Sequence, residues 1–145
     1  MTIWQKGEIL KIRVYADTNL FIRFFTGEPA SQAHESKKFL EQVSKGKYEL
    51  FVCDLIFAEI IYVLESVYQL DRNAVVEKML AIIETSNTVI ENRRIILRAL
   101  DLYEEKNIDF IDAYLVSHSV KNNCTIIFTF DKDFKKINFI DKIIP

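Results

Sequence analysis

Four acidic residues stand where acids are awkward. Asp17 directly follows the apolar run Val14-Tyr15-Ala16, and Asp131 closes Ile126-Ile127-Phe128-Thr129-Phe130. Glu59 has Leu55, Ile56, Tyr62 and Val63 at spacings of three and four, so a helix there places it on an apolar face. Asp112 lies in the largely apolar stretch Ile108 to Val116, three residues after Asp109. Each acid has a simple structural use. Asp17 can cap a helix beginning near Leu20, and Asp131 can cap a short helix from Lys132 to Lys136, with Asp133 a solvated first-turn acid. Asp109 and Asp112 approximate a cap and a first-turn acid. Glu59 is the hardest to place, because a buried carboxylate without a partner costs several kcal/mol and tends to take up a proton. It needs a cation, an arginine or a hydrogen-bond network. Two of these acids follow apolar runs and two belong to helical stretches, a pattern that can gather them on one edge of a parallel sheet. Carboxylates gathered in this way repel unless a hard divalent cation lies among them, and Mg²⁺ or Mn²⁺ suits such oxygen ligands. A metal held by carboxylates lowers the pKa of its water and stabilises charge building on a phosphate, which is what phosphodiester hydrolysis requires.

The elements that must position these acids are short strands separated by helical segments. Strands are expected at Ile12 to Ala16, Tyr48 to Cys53 and Thr125 to Phe128, with weaker ones at Thr88-Val89-Ile90 and Phe139-Ile140. Helices are expected from Leu20 to Thr26, Ser31 to Ser44, Asp54 to Tyr68, Asn73 to Glu84, Arg93 to Lys106 and Asp109 to Lys121. Only three glycines (Gly7, Gly27, Gly46) and two prolines (Pro29, Pro145) interrupt them. Parallel neighbours need helical crossovers, so this alternation predicts an α/β protein with a parallel sheet, whose ligands bind at the carboxyl ends of the strands. No linker or repeat divides the chain. One domain over residues 12–145 is expected, preceded by an N-terminal extension, residues 1–11, that is loosely docked over its first nine.

Composition excludes several classes. The chain has 145 residues, half of them hydrophobic and 28% charged, which excludes intrinsic disorder. Its net charge is −2, which disfavours a globally basic nucleic-acid binder but leaves room for a nuclease with acidic metal ligands. Cys53 and Cys124 lie in apolar runs without C-x-x-C spacing and are expected to be buried, reduced thiols. The only histidines, His34 and His118, have no ligand partner at a useful spacing, which removes zinc chemistry and Ser-His-Asp catalysis. Dinucleotide, P-loop and nucleophile-elbow motifs are absent. No apolar run is long enough to span a membrane and no signal peptide is visible, so a cytoplasmic location is expected. An aspartyl-phosphate enzyme is disfavoured because Asp17-Thr18-Asn19 lacks the second acid of a D-x-D pair.

Four segments carry a family resemblance: Tyr15-Ala16-Asp17-Thr18-Asn19, Ala58-Glu59-Ile60, Asp109-Phe110-Ile111-Asp112-Ala113 and Thr129-Phe130-Asp131-Lys132-Asp133-Phe134. In this order and spacing, from about Val14 to Lys136, the chain resembles the PIN-domain family and within it the VapC-type toxins of type II toxin–antitoxin pairs. The resemblance implies a three-layer α/β/α fold with a central parallel sheet and a metal-dependent ribonuclease using Mg²⁺ or Mn²⁺. It places Asp17, Glu59, Asp112 and Asp131 on the family's acidic quartet. Asp17 and Asp112 are expected to hold the metal directly and Asp131 directly or through water. Glu59 would handle the attacking water or bind a second metal. Asn19, Arg23, Thr129 and Lys132 are the expected substrate-side residues. The implied partners are RNA, a small antitoxin and a second copy of the chain, with the apolar segment Leu55 to Tyr68 as a possible docking surface. A catalytically inactive RNA- or protein-binding module of the same fold is the alternative. The departure from the family pattern is the sixteen residues ahead of Asp17, for which a misassigned start and an extra strand are the two explanations.

Overall fold

The computed structural model describes residues 3–5 and 8–143. Residues 1, 2, 6 and 7 of the expected loose N-terminal segment lie outside the described residues. The remainder of that segment forms two strands, β1 (Ile3–Gln5) and β2 (Glu8–Leu10), paired antiparallel with Trp4 opposite Ile9. The chain divides into two compact units, residues 1–91 and 92–145.

In the first unit, β3 (Ile12–Tyr15), β4 (Tyr48–Val52) and β5 (Thr88–Ile90) form a parallel sheet in the order β3-β4-β5. Val14 lies opposite Leu50, and Leu50 opposite Thr88. The crossovers are helical: α1 (Thr18–Thr26) and α2 (Ala30–Ser44) join β3 to β4, while α3 (Asp54–Ser66) and α4 (Arg72–Glu84) join β4 to β5. The sequence explains the boundaries. α1 stops at Gly27, whose φ of +73° suits a residue without a Cβ and whose N–H donates to the Arg23 carbonyl. Asp71 caps α4 by accepting from the Ala74 N–H at 2.9 Å. Leu50 and Val52 of the central strand are fully buried, together with Phe57, Ile60 and Leu64 of α3 and Val75 and Met79 of α4.

The second unit holds α5 (Arg93–Lys106), α6 (Phe110–Lys121), β6 (Ile126–Phe128), a 3₁₀ helix (Lys132–Lys136) and β7 (Asp141–Ile143). α5 ends where Asn107 turns to φ +52°, a conformation asparagine tolerates better than most residues. Ile96, Leu100 and Tyr103 of α5 are buried with Phe110, Ala113 and Val116 of α6, and the Tyr103 and Phe110 rings meet edge to face at 6.2 Å. β6 and β7 pair in parallel, with Ile127 opposite Lys142.

The mixed α/β fold with parallel pairing is the expected one, with the parallel strands held as one three-stranded and one two-stranded group. The last strand begins at Asp141 rather than Phe139. Ile140 is buried ahead of it, and the Asp141 N–H donates to the Thr125 carbonyl at 2.7 Å. The cysteines differ from expectation. Cys53 is half-buried, and Cys124 is exposed because it lies between the end of α6 and the start of β6. Among the described residues no helix is long and apolar enough to cross a membrane.

Candidate functional site

The first unit joins two of the four acids through one residue. Parallel pairing carries β3 to the sheet edge where the Ala16 N–H donates to the Phe51 carbonyl at 2.9 Å, and Asp17 follows at the N-cap of α1. Its Oδ1 accepts from the Thr18 N–H at 2.8 Å. The Thr18 hydroxyl donates to Glu59 Oε2, also at 2.8 Å. Thr18 is only 4% exposed, so this bridge is fixed by its packing. Sequence reasoning passed over Thr18; the available signal was a short hydroxyl residue between an acid and a helix start.

Glu59 corrects an expectation. Its face of α3 is open: Glu59 is exposed, and its helical neighbours Leu55 and Tyr62 are 80% and 69% exposed. α3 is apolar around most of its circumference, and the face it buries carries Phe57, Ile60, Ile61 and Leu64 instead. An exposed carboxylate keeps its hydration, so no buried salt bridge is required.

The same edge holds two acids that sequence reasoning did not single out. Asp54 opens α3 after β4, and Glu91 follows β5. The Asp54 N–H donates to Glu91 Oε1 at 3.0 Å. The rule applied to Asp17, an acid just after a strand, would have found both. Burial, then the charges of Glu91 and Asp54, push the neighbouring Cys53 thiol up from its ordinary value. The thiol therefore stays protonated and poorly nucleophilic.

On α1, Asn19 is exposed and Arg23 half-buried. Arg23 Nε donates to Gln32 Oε1 at 2.9 Å, and Nη1 donates to the Glu28 carbonyl at 3.4 Å.

The second unit brings the other two acids close together. Asp112 sits half-buried in the first turn of α6, with the carboxylate of Asp131 close enough to act on it. Asp131 caps the 3₁₀ helix by accepting from the Asp133 N–H at 2.8 Å, and its own N–H donates to Thr129 Oγ1 at 2.9 Å. Thr129 thus orients the segment that presents Asp131. Asp109 occupies the N-cap position of α6, yet its side chain makes no capping hydrogen bond. Burial, followed by the charges of Asp131, Asp109 and Asp133, pushes Asp112 up to about 6. Lys136 pairs with Asp133 at 3.3 Å, and Lys132 is exposed. His118 is exposed near the end of α6, as a surface histidine should be.

Crowded carboxylates repel one another unless a proton or a cation lies among them. Asp112 and Asp131 offer only oxygen donors, with two further carboxylates close enough to raise the Asp112 pKa. That donor set suits a hard divalent cation, which commonly binds through one or two carboxylates plus water and substrate phosphate. Among the described residues no group of three or more His, Cys, Asp or Glu side chains is arranged to hold a metal.

Comparison with known proteins gives consistent relatives. The chain is 26% identical over 123 residues to the VapC ribonuclease of Aquifex aeolicus (strain VF5), covering 85% of this chain and 90% of that protein. Among solved structures, a toxin-antitoxin complex from Klebsiella pneumoniae aligns with 20% identity and a TM-score of 0.35, covering 90% of this chain and 95% of that one. VapBC2 from Rickettsia felis, bound to a DNA fragment from their promoter, aligns with 18% identity and a TM-score of 0.37, covering 91% and 97%. The family model for the PIN domain matches residues 14–140, a span that contains all four acids and nearly the whole chain, and the chain therefore belongs to the PIN domain family.

Proposed function

We propose that this protein is a metal-dependent endoribonuclease and the toxin of a toxin–antitoxin pair. The observation that carries the reading is the half-buried Asp112 carboxyl crowded by Asp131, Asp109 and Asp133, in a chain of the PIN domain family. The ribonuclease relative and the order of the four acidic motifs support it.

On this reading Asp17, Asp112 and Asp131 are the metal ligands and Mg²⁺ or Mn²⁺ is the cofactor. When bound, the ion supplies an acidic water and a counter-charge for the phosphate. Glu59 handles the attacking water. Its Oε2 is held by Thr18, which leaves Oε1 to orient that water or accept its proton. Thr129 fixes the backbone that carries Asp131. Asn19, Arg23 and Lys132 stand on the substrate side, and the exposed Lys132 is suited to phosphate charge. Residues 12–145 form the nuclease domain and residues 1–11 an extension. The partners are RNA, an antitoxin and a second copy of the chain, in the cytoplasm. The open face of α3, with Leu55 and Tyr62 exposed, is the apolar surface such protein partners would cover.

The test is RNA cleavage by the purified protein with Mg²⁺ or Mn²⁺, beside EDTA, Asp17→Asn and Asp112→Asn. Asparagine keeps the shape and removes the charge. Cleavage that needs metal and falls by two orders of magnitude or more in both variants is the expected result. Failure to bind either metal and to cleave any RNA would overturn it in favour of an inactive binding module.

A further inference from the structure

Asp112 and Asp131 stand on different elements of the second unit, the first turn of α6 and the cap of the 3₁₀ helix. The backbone bonds within either element do not set the spacing between the two acids. The 3₁₀ helix has five residues, and its hydrogen-bond geometry is poorer than that of an α-helix, so it depends on ties to its surroundings. Apolar ties come from Phe134, buried within it, and Ile137, fully buried just after it. A polar tie comes from Lys136, its last residue, whose Nζ donates to the Asn107 carbonyl at 3.0 Å. Asn107 is the left-handed residue that ends α5, and only Ile108 and Asp109 separate it from α6. The same ammonium pairs with Asp133 Oδ1 at 3.3 Å. Asp133 in turn donates its N–H to Asp131 Oδ1 at 2.8 Å. A chain of contacts therefore runs from the turn before Asp112, through Lys136 and Asp133, to Asp131. The neighbouring Lys135 is exposed and makes no hydrogen bond or ion pair among the described residues.

We propose that Lys136 is a positioning residue of the metal centre, a clasp that ties the 3₁₀ helix to the α5–α6 turn and so holds Asp131 in place beside Asp112. The proposal rests on the reading of these two acids as metal ligands. Groups that orient the ligands of a metal commonly change its affinity by about 10–100-fold when removed, without touching the ion themselves. Charge alone predicts the reverse. A lysine near a cation site repels the ion, so its removal should tighten binding. The sign of the effect thus separates a clasp from a bystander charge. Stability separates it from a purely structural role. The Lys136 and Asp133 side chains are 41% and 45% exposed, and an exposed ion pair contributes little to folding.

The test is the Mn²⁺ affinity of the full chain, read from the electron paramagnetic resonance of the free ion, with thermal melting in EDTA beside it. Lys136→Met should weaken Mn²⁺ binding by about tenfold or more. Lys136→Arg, which can still reach a carbonyl and a carboxylate, should stay within about twofold of the wild type. Lys135→Met removes the same charge one residue away and should bind Mn²⁺ as tightly as the wild type or more tightly. All three variants should melt within about 4 °C of the wild type. Unchanged or tighter binding by Lys136→Met overturns the clasp, as does equal weakening in Lys135→Met or a loss that Lys136→Arg shares. A larger fall in the melting temperature of Lys136→Met assigns the lysine to stability and also overturns it. Asp112→Asn keeps the two readings apart. Wild-type binding that is lost in Asp112→Asn while Lys136→Met binds normally leaves the metal centre standing without the clasp. A wild type that binds no Mn²⁺ overturns the metal centre and the clasp together.

Discussion

Asp112 ties stability to pH, and the direction follows from its surroundings. Its carboxyl is raised from an ordinary 3.8 to about 6 in the folded protein. Between those values the folded state binds its proton more tightly than the unfolded state does. By linkage, stability falls as pH rises through this window, and the full penalty is present above it. Below the ordinary value both states are protonated and the penalty is absent. Metal-free protein melted in EDTA from pH 4 to pH 7 should therefore lose stability relative to Asp112→Asn, which has no proton to release. A divalent cation should reduce that difference by stabilising the wild type. A difference that stays flat with pH would show that the acids around Asp112 do not crowd it. Thr18 makes a second prediction at this scale. Thr18→Val keeps the packing and removes the donor to Glu59, at a stability cost of about 1 kcal/mol. Turnover on RNA should fall by on the order of tenfold to a hundredfold with KM nearly unchanged, because the acid proposed to handle the water loses its alignment. Thr18→Ser should restore it; a Thr18→Ser variant as slow as Thr18→Val would assign Thr18 to packing alone.

The elements differ in how clearly the sequence announces them. α5 was legible from Arg93 to Lys106 because Ile96, Leu100 and Tyr103 repeat at helical spacing and Asn107 ends the run. Leu100→Ala removes a side chain that is 1% exposed in this contact, and should cost about 2–5 kcal/mol by thermal or urea denaturation. A loss below 1 kcal/mol would mean that the α5–α6 contact is not a stabilising core. α3 was legible as a helix but not in orientation. Apolar residues all round a helix do not say which side is covered, and Glu59 was consequently assigned to the wrong environment. β7 was displaced by two residues because a three-residue strand carries too little alternation to fix its start. The candidate acids were legible for a different reason: Asp17 and Asp131 stand at the ends of apolar strands, where a carboxylate interrupts the pattern. Their connections were not. Whether a threonine bridges two acids, as Thr18 does, depends on the packing of α1 against α3, which local spacing does not encode.

At the scale of the whole molecule, a net charge of −2 conceals how the charge is distributed. Each unit concentrates carboxylates beside the end of a strand, Asp17 with Asp54 and Glu91 in one, Asp112 with Asp131 and Asp133 in the other. An RNA phosphate approaching such groups is repelled until a cation neutralises them, so substrate binding and metal binding are coupled by electrostatics. The charge count alone, which disfavours a nucleic-acid partner, misleads on the proposed reading, in which these acids serve a metal. The two thiols carry a separate consequence. Cys124 is exposed, whereas Cys53 is half-buried and held protonated by its acidic neighbours. A maleimide reagent at neutral pH should therefore couple to Cys124 first, giving one adduct per chain by intact mass spectrometry and none in Cys124→Ser. Equal modification of both thiols would contradict the shielding of Cys53. The native chain thus arrives with a single addressable handle beside β6, on which a spin label or fluorophore could report without any cysteine being engineered.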